Sequence, residues 1–465
     1  KFNLLREQID ASHEIGVKVP IYFTAGINNL IAERHPEWRE ICVDGSHRDW
    51  NPGELKPGFR SLCFNSPYLD YLCELVAEGC EMFPDADGVF LDIISQGECC
   101  CKYCLKDMLA EGYDPESQED RYKFSRRTLM KYYQRVTETV RKIDPDMPIF
   151  HNSGAVTAGN RAILPYFSQL ELESLPTGGW GYDHYPLSAA YCRQLNMDFL
   201  GMTGKFHTTW GEFGGFKHPN ALIYETSLSV ANGAGCSIGD QMHPLGEMNM
   251  ATYNLIGKAY SLVEEKEPWL NGAVNVADIA VLSAESVTGN RDVKADIGAN
   301  RMLLENNYLY NFVDSIMDIS GYKLLILPDV DGISDEMTEK VKAFIGNGGK
   351  VIASAKAPVK DGKFIFDFGA EYKGENEFSP TYFIPCNQTV NGATEYIMRC
   401  NSYKFDVTDG DAAAYMQNPY FNRTAEHFCS HMHAPNNPEE SFVGAVIKGN
   451  VAYIGWDVFS AYAIH

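Results

Sequence analysis

The 465-residue sequence lacks the long apolar run that a membrane-spanning helix requires, since no stretch approaches about 18 uninterrupted apolar residues. It is also poor in basic residues, with 39 Lys and Arg against 62 Asp and Glu, and its formal net charge is −23. Nucleic-acid binding needs a basic face for phosphate contacts. We therefore expect no membrane or nucleic-acid partner, and a neutral or cationic ligand instead.

Glycine-rich nucleotide motifs and a secretory disulfide pattern are also missing. The turns at 328–332 and 346–349 have neither GxGxxG nor GxxxxGK[ST], so no nucleotide role and no cofactor for catalysis are expected. The 13 cysteines are odd in number, and ten lie before residue 240. Without a secretory signal this distribution predicts a cytoplasmic protein. The sequence opens without Met in a helix-like stretch, so we expect further residues upstream.

The first 250 residues alternate short apolar strands with helical patterns, which is the rhythm of βα units around a parallel sheet. The predicted strands are 17–24, 88–93, 147–152, 170–175, 199–207 and 234–239. The predicted helices are 68–81, 122–142, 188–195 and 219–232. A complete (β/α)8 TIM barrel has eight such strands, so two are expected upstream of Lys1.

A second α/β unit is predicted to begin near Gly272. Strands at 277–283, 323–328 and 350–355 with helices at 300–315 and 335–347 indicate a flavodoxin-like sheet. Short strand-like runs between about 361 and 445 indicate a β-rich insertion. The predicted organisation is a TIM-barrel domain over 1–270 followed by a flavodoxin-like domain over 271–465.

Several predicted strands of the first half end in polar or ionisable residues. These residues are Asp92, His151, Asn152, Glu173, His207 and, after a short gap, Asp240. The carboxyl ends of barrel strands converge on the active site of such enzymes, so this placement favours an enzyme. The alternative is that these side chains cap the helices that follow.

Cys99, Cys101 and Cys104 have a spacing typical of metal ligands. Closely spaced thiolates suit a tetrahedral zinc site, and the fourth ligand nearest in a loop is Cys63. These four residues predict a structural zinc. The alternative is that they are free thiols packed as small hydrophobic groups.

Carboxylates and aromatic residues near the strand ends indicate carbohydrate chemistry. Acid/base cleavage of a glycosidic bond needs two carboxyl groups, one of them with a raised pKa, and Asp92 with Glu173 is the predicted pair. Glu212 is the substitute for Glu173. The predicted sugar-binding residues are Trp38, His151, Asn152, Trp180, His207, Trp210, Asp240, Gln241 and His243. Some of the tryptophans are alternatively core residues, and His207 with His243 also allow a second metal site.

The motifs resemble those of hypothetical glycoside hydrolases related to the α-L-fucosidases of family 151. The resemblance lies in His35-Pro36-Glu37-Trp38, in 62–68, in the strand ending at Asp92, in Cys99-x-Cys101-x-x-Cys104, and in 207–215 and 235–244. From Ala273 onward the chain resembles the β-galactosidase trimerisation domain. These resemblances imply a retaining, exo-acting fucosidase-like enzyme for oligosaccharides or glycosides, with Asp92 as nucleophile and Glu173 as acid/base. They also imply a homo-oligomer, a trimer or a dimer.

The cysteine spacing is also similar to that of family 42 β-galactosidases, which implies zinc at the four cysteines. That family has Asn-Glu at the end of the strand before the cysteines, whereas this sequence has Leu91-Asp92. Two alternatives to the fucosidase therefore stay open. One is a β-galactosidase of the family 42 type, and the other is a catalytically silent carbohydrate-binding or assembly protein.

Overall fold

The computed structural model describes residues 2–50, 58–289, 294–387 and 392–464. The chain divides into two compact units. The first consists of Lys1–Val156, Arg161–Glu171 and Met197–Leu200, and the second of Thr157–Asn160, Leu172–Asn196 and Gly201–His465. Within the described ranges, no helix is both long enough and apolar enough to cross a membrane.

The first unit is built on a parallel sheet of three strands. In chain order its helices and strands are α1 (Leu4–Glu14), β1 (Pro20–Thr24), α2 (Asn29–Arg34), β2 (Asp49–Trp50), β3 (Phe59–Arg60), α3 (Tyr68–Met82), β4 (Gly88–Asp92), α4 (Lys102–Glu111), α5 (Gln118–Ile143) and β5 (Ile149–His151). The sheet order is β1-β4-β5. Its parallel register pairs Thr24 with Asp92 and Leu91 with His151.

Helix α5 shows why these segments fold as they do. The Ser117 side chain caps it by accepting from the Asp120 backbone N–H, and acidic residues in its first turn and basic residues in its last turn complement the helix dipole. Its residues Phe124, Thr128, Tyr132, Val136 and Val140 recur every four positions and are all buried. Tyr132, Val136 and Val140 of this face pack in one core cluster with residues of β1, β4 and β5, whereas Phe124 packs in a separate cluster.

The chain continues with a further set of strands and helices of the same kind, of which the strands at 170–173 and 199–204 begin in the first unit and end in the second. This set consists of β6 (Leu170–Glu173), α6 (His184–Cys192), β7 (Phe199–Gly204), α7 (Pro219–Ala231), β8 (Gly235–Gly239) and α8 (Met250–Leu270). The three strands form a sheet in the order β6-β7-β8. All six strands predicted for the first 250 residues are thus present, while closure into an eight-stranded barrel stays a prediction.

The rest of the second unit, from residue 279 onward, contains a nine-stranded sheet, two two-stranded sheets and several helices. Its elements are β9 (Ile279–Leu282), α9 (Ala284–Thr288), α10 (Lys294–Glu305), β10 (Tyr310–Val313), β11 (Leu324–Leu327), α11 (Asp335–Gly346), β12 (Lys350–Ser354), β13 (Val359–Lys360), β14 (Lys363–Phe364), β15 (Ala370–Glu375), β16 (Thr381–Pro385), β17 (Tyr396–Met398), β18 (Tyr403–Val407), β19 (Asp411–Pro419), β20 (Asn436–Lys448), β21 (Val451–Ile454) and α12 (Val458–Tyr462). The sheet order is β10-β9-β11-β12-β21-β20-β19-β16-β17. The first five strands are parallel, and β20 onward continues the sheet with antiparallel pairs.

The helix predicted over 300–315 is wrong in its second half. Helix α10 ends at Glu305, Asn307 adopts a φ of 57°, and Tyr310–Val313 is the outer strand β10 paired with β9. All four residues of β10 are buried, and its aromatic and β-branched residues favour a strand. The two compact units also divide the chain at positions other than 270, because residues 157–160, 172–196 and 201–270 belong to the same unit as the C-terminal sheet. The boundary at residue 270 stays a prediction.

We predict that Gly298→Ala destabilises the protein, because Gly298 lets α10 approach α12 closely. A Cβ at position 298 would lie 1.7 Å from the Phe459 carbonyl oxygen. The free energy of unfolding, measured by denaturant titration, should fall by about 1–3 kcal/mol. The control Gly257→Ala lies within α8 with nothing within 4 Å of the added Cβ, so its stability should rise by about 0.5–1 kcal/mol. A Gly298→Ala variant as stable as the wild type would contradict this packing.

Candidate active site

Asp92 is the last residue of β4, and three donors hold its carboxylate. Oδ1 accepts from Asn152 Nδ2 and from the Ile93 backbone N–H, each at 2.8 Å. Oδ2 accepts from the Tyr22 hydroxyl at 2.5 Å. The parallel register brings β1, β4 and the residue after β5 to the same edge of the sheet. The carboxylate therefore has one fixed orientation, as a nucleophile needs.

The main chain is bent immediately after Asp92. Ile93 has a φ of 59°, which is unusual for a β-branched residue and is a kind of strain found most often at functional sites. The Asp92 carbonyl oxygen accepts from the Ala25 and Gly26 N–H groups at 3.0 and 3.3 Å. A Cβ at Gly26 would lie 1.7 Å from the Ile93 carbonyl oxygen, so the close approach of these two strand ends requires glycine.

His151 and Asn152 are neighbours in sequence but have different surroundings. Asn152 lies beside Asp92, whereas the His151 ring is 1% exposed. Its Nδ1 lies 3.0 Å from the Tyr132 hydroxyl and its Nε2 lies 3.3 Å from Thr137 Oγ1. Burial lowers the pKa of His151 to about 3. The prediction that His151 binds sugar is therefore wrong, because its ring is a neutral part of the core against α5.

Trp38 lies in a short 3-10 helix, Pro36–Trp38, and packs against the core of the first unit. Its ring stacks on His35 with centroids 3.8 Å apart and an interplanar angle of 7°, and Tyr71 lies 6.5 Å away. One face of the indole is thus covered by an imidazole. Its role as a sugar platform stays a prediction.

Glu173 ends strand β6 in the second unit and is half-buried. The loop that follows folds back onto this strand end, because His184 Nδ1 lies 3.2 Å from Ser174 Oγ. The His184 ring meets Trp180 edge to face at 5.0 Å, and Trp180 is 38% exposed. The loop therefore presents an aromatic surface to solvent.

A cavity of about 780 Å³ in the second unit brings together several predicted sugar-binding residues. It is lined by Lys205, Asp240, Gln241 and His243, with Phe213 and a methionine-rich rim. Lys205 Nζ lies 3.2 Å from the Glu212 carbonyl oxygen and 3.9 Å from Asp240 Oδ1. The side chain of Lys205 is only 3% exposed, so its charge acts in a largely dry environment.

Two buried polar atoms, one on a residue that lines this cavity and one on the loop before it, have no hydrogen-bond partner among the described residues. They are Trp210 Nε1 and Gln241 Oε1. Trp210 packs over Gly239 and Gly204, where a Cβ would lie 2.4 and 3.0 Å from its ring. Buried polar groups are normally hydrogen-bonded. A donor and an acceptor left open in this way suit the hydroxyl groups of a bound sugar.

Glu212 has the wrong environment for a general acid. Its carboxylate accepts from the Thr208 N–H at 2.6 Å and from the Thr208 hydroxyl at 2.7 Å. These hydrogen bonds lower the pKa of Glu212 to about 2. A glycosidase acid needs a raised pKa, so these hydrogen bonds do not favour Glu212 as the substitute for Glu173, and that role stays a prediction. His207, just before this loop, is exposed.

The four predicted metal ligands form one buried cluster. The sulfur atoms of Cys63, Cys99, Cys101 and Cys104 all lie within 4.8 Å of one another. Cys63 Sγ is 3.4 Å from Cys104 Sγ and 3.8 Å from Cys101 Sγ. Tetrahedral zinc with Zn–S bonds of about 2.3 Å would place its sulfurs about 3.8 Å apart. Backbone N–H groups of Ile41 and Asn65 also point at Cys99 and Cys63, so the donor set fits zinc.

Comparison with known proteins agrees with this chemistry. A family model described as hypothetical glycosyl hydrolase 6 matches residues 1–93, and one described as the β-galactosidase trimerisation domain matches residues 301–370. A comparison with curated proteins finds no match. The structure of α-L-fucosidase isoenzyme 2 from Paenibacillus thiaminolyticus has a TM-score of 0.94 and 46% identity, covering 100% of this chain and 71% of that chain. The chain belongs to the same glycoside hydrolase family as this protein.

More distant structures share the fold of this glycoside hydrolase. A β-galactosidase from Bacillus circulans sp. alkalophilus has a TM-score of 0.75 at 13% identity, covering 100% of this chain and 80% of that chain. A β-galactosidase from the haloarchaeon Halorubrum lacusprofundi has a TM-score of 0.73 at 16% identity, with 100% and 81% covered. The fold is therefore a TIM-barrel-type glycoside hydrolase fold with an additional domain. The chain is an enzyme of the glycoside hydrolase class.

Sequence reasoning missed the buried cations of this hydrolase. Lys217 Nζ contacts Glu225 and lies 2.6 Å from Thr203 Oγ1, and the Lys217 N–H donates to the Lys205 carbonyl at 2.9 Å. Burial lowers the pKa of Lys217, and the Glu225 carboxylate opposes that effect. The contacts of Lys217 with Glu225, Thr203 and Lys205 hold the loop after β7 against the end of that strand. The one available signal was Lys205 itself, a basic residue within the predicted strand 199–207.

We predict that His151 makes the stability of the hydrolase fall in acid. The pKa of His151 is about 3 in the folded protein and about 6.5 unfolded, so only the unfolded chain binds a proton between these values. Burial of the neutral His151 ring therefore leaves the free energy of unfolding unchanged above pH 6.5. Below pH 6.5 that free energy falls by about 1.4 kcal/mol per pH unit. His151→Gln should remove this slope, measured by denaturant titration from pH 4 to pH 8. Parallel pH profiles of the two proteins would contradict the buried neutral ring.

Proposed function

We propose that the protein is a retaining, exo-acting α-L-fucosidase that removes terminal fucose from oligosaccharides or other glycosides. The observation that carries this proposal is the Asp92 carboxylate, fixed by Tyr22, Asn152 and the Ile93 N–H at the end of β4. Full-length similarity to a structure described as an α-L-fucosidase supports the choice of sugar. The identities with β-galactosidases are too low to favour galactose.

In the proposed mechanism Asp92 attacks the anomeric carbon while the bond to the leaving oxygen breaks and Glu173 protonates that oxygen. Glu173 then takes a proton from water, which attacks the same carbon and releases Asp92 as a carboxylate. The hydroxyl of Tyr22 and the amide of Asn152 donate to that carboxylate. They would stabilise the negative charge that returns to Asp92 when the covalent intermediate is hydrolysed.

We assign sugar recognition to the polar and aromatic groups at the strand ends. Asn152 stays in this set, and the second unit contributes Trp180, His207, Trp210, Asp240, Gln241 and His243. Lys205 is added to it because its nearly buried ammonium lines the same cavity as Asp240. The open donor of Trp210 and the open acceptor of Gln241 support this assignment.

We further propose a TIM-barrel domain over 1–270 and a flavodoxin-like domain over 271–465 that makes the enzyme a homo-oligomer, a trimer or a dimer. The parallel strands β9, β10, β11, β12 and β21 have the spatial order 2-1-3-4-5, which is that of flavodoxin-like sheets. The match of 301–370 to a trimerisation domain supports assembly. None of the 13 cysteines forms a disulfide, which supports a reducing compartment such as the cytoplasm.

We propose that Cys63, Cys99, Cys101 and Cys104 hold a structural zinc. Hydrogen bonds between the thiols, chiefly with Cys101 and Cys104, and burial raise the pKa of Cys63. Gathering several thiolates at this place therefore needs a positive charge, which zinc supplies. The ion would join the loop before α3 to the start of α4, and it would take no part in catalysis.

We predict that Asp92→Ala lowers kcat on 4-nitrophenyl α-L-fucoside by on the order of 10⁴-fold, because the variant has no nucleophile. Azide should restore turnover and give fucosyl azide of inverted configuration, since the small anion fills the space of the carboxylate. Glu173→Ala should affect nitrophenyl fucoside less than a fucosylated oligosaccharide, whose leaving group needs the proton.

Glu212→Gln is the matched control for these variants, because that carboxylate only fastens its loop, and we expect a smaller loss than for Glu173→Gln. Steady-state kinetics and product analysis by NMR measure these outcomes. Full activity of Asp92→Ala would contradict the assignment, and preferential turnover of 4-nitrophenyl β-D-galactoside by the wild type would contradict the choice of sugar.

We predict that the purified enzyme contains about one zinc per chain, as a four-thiolate structural site requires. Cys104→Ser should lose the metal and melt at a lower temperature, because three thiolates bind zinc less tightly. The control is Cys100→Ser, a neighbouring cysteine outside the cluster, which should keep both zinc and stability. Metal analysis by mass spectrometry and thermal melting test this. A wild type without zinc that melts like Cys104→Ser would contradict the proposal.

A further inference from the structure

In the second unit, the loop after β6 is held by residues of the additional domain. Arg301 Nε donates to Asp183 Oδ2 at 2.7 Å, and Asn300 Nδ2 donates to the Asp183 carbonyl oxygen at 3.0 Å. Both donors lie on α10, in sequence far from the loop that they contact. A single residue, Asp183, thus receives a charged and a neutral hydrogen bond from one helix.

The direction of the Asp183 carboxylate is unusual for its position. Asp183 is the N-cap residue of α6, where an aspartate side chain normally accepts from the first free N–H groups of its own helix. Its side chain makes no such capping bond. The carboxylate is 18% exposed and pairs with Arg301 instead. Asp183 therefore stabilises the contact between the loop and α10 and does not cap the start of α6.

Helix α10 is itself firmly placed. Gly298 allows the close approach to α12, and Arg301 Nη1 donates to the Ala463 carbonyl oxygen at 2.6 Å. Asn300 is fully buried, and its Oδ1 accepts from the Tyr310 hydroxyl, which fixes the direction of its amide N–H. The planar guanidinium of Arg301 thus joins two acceptors at once, which a lysine ammonium cannot do with the same fixed geometry.

The other end of α6 is attached to the same domain. Arg193, after the last turn of α6, donates to Asn311 Oδ1 at 2.7 Å. The Tyr191 hydroxyl donates to Asp314 Oδ2 at 2.8 Å. Both acceptors belong to β10 or the residue that follows it. The helix after the loop is therefore held at both ends by the additional domain.

The Asp183 turn leads directly to the proposed site. The next residue is His184, whose ring contacts Ser174 Oγ and meets the Trp180 ring edge to face. Gly181 has a φ of 81°, and a Cβ there would lie 2.6 Å from Asp183 Oδ1, so the turn is sterically defined. Movement of Asp183 would therefore move the aromatic surface that follows β6.

We propose that Arg301 and Asn300 are positioning residues for substrate binding: through Asp183 they hold Trp180 in the conformation that accepts the sugar. Neither touches the substrate. The proposal rests on the proposed function for its kinetic part only, because the position of Trp180 can be measured without turnover. The additional domain thus contributes to substrate affinity as well as to assembly.

The kinetic test uses the full chain and 4-nitrophenyl α-L-fucoside. Arg301→Gln should raise KM by about tenfold and change kcat less, since a misplaced binding group costs about this much or more. Arg301→Lys should recover part of the affinity. The matched control is Lys360→Gln, which removes the surface ion pair with Asp335 in the same domain and should leave KM unchanged. An unchanged KM in Arg301→Gln, or an equal rise in the control, would overturn the proposal.

A double-mutant cycle separates positioning from a general loss of stability. If Arg301 acts through Trp180, Arg301→Gln should raise KM much less in a Trp180→Ala background than in the wild type. Independent, multiplicative effects of the two substitutions would overturn the proposal. Thermal melting of all four proteins shows whether they are folded at the assay temperature.

Fluorescence gives the readout that does not depend on activity. The Trp180 signal is the difference between each protein and its Trp180→Phe counterpart. We expect acrylamide to quench this signal more strongly in Arg301→Gln than in the wild type or in Lys360→Gln. Equal quenching would overturn the proposal. A wild type that hydrolyses no fucoside would remove the proposed function alone, because the quenching comparison would still decide whether Arg301 positions Trp180.

Discussion

Hydrogen bonds between the parallel strands β1, β4 and β5 bring Tyr22, Asp92 and Asn152 to one edge of the first sheet. Leu91 is paired with His151, so Asp92 and Asn152 occupy the next position on their strands and share a face. The Asp92 carbonyl accepts from the main chain after β1, and Gly26 allows that approach. The place of the proposed nucleophile is thus set by the backbone and not by a flexible loop.

The second unit uses buried charges for a different purpose. Lys217 and Glu225 pair under the loop that carries Trp210, and Glu212 uses its carboxylate to close the same loop. Breaking a buried pair on one side costs about 3–5 kcal/mol because the remaining charge is left without compensation. The lowered pKa values of Glu212 and Lys217 therefore follow from the hydrogen bonds and burial that form this loop. The hydrogen-bond and ion-pair partners of a titratable group near a pocket therefore have to be identified before a catalytic role is assigned to that group.

Much of the fold followed from the periodicity of apolar residues. The six strands of the first 250 residues were predictable because they depend on local sequence alone. The clustering of Cys99, Cys101 and Cys104 was predictable for the same reason. The direction of the His151 side chain was not predictable. Adjacent residues such as His151 and Asn152 point to opposite faces, and only the strand register decides which of the two meets Asp92. Strand β10 was missed because its residues follow a helix without a glycine or proline. Lys205 and Arg301 owe their roles to contacts distant in sequence.

The central claim is that Asp92 becomes covalently attached to the sugar. The most direct measurement is to incubate the enzyme with a 2-deoxy-2-fluorofucosyl fluoride, which slows hydrolysis of the glycosyl-enzyme, and to locate the label by peptide mass spectrometry. We expect one fluorofucosyl group per chain, on the peptide that contains Asp92. A label on a different carboxylate, or an active enzyme that inverts configuration and takes no label, would contradict it.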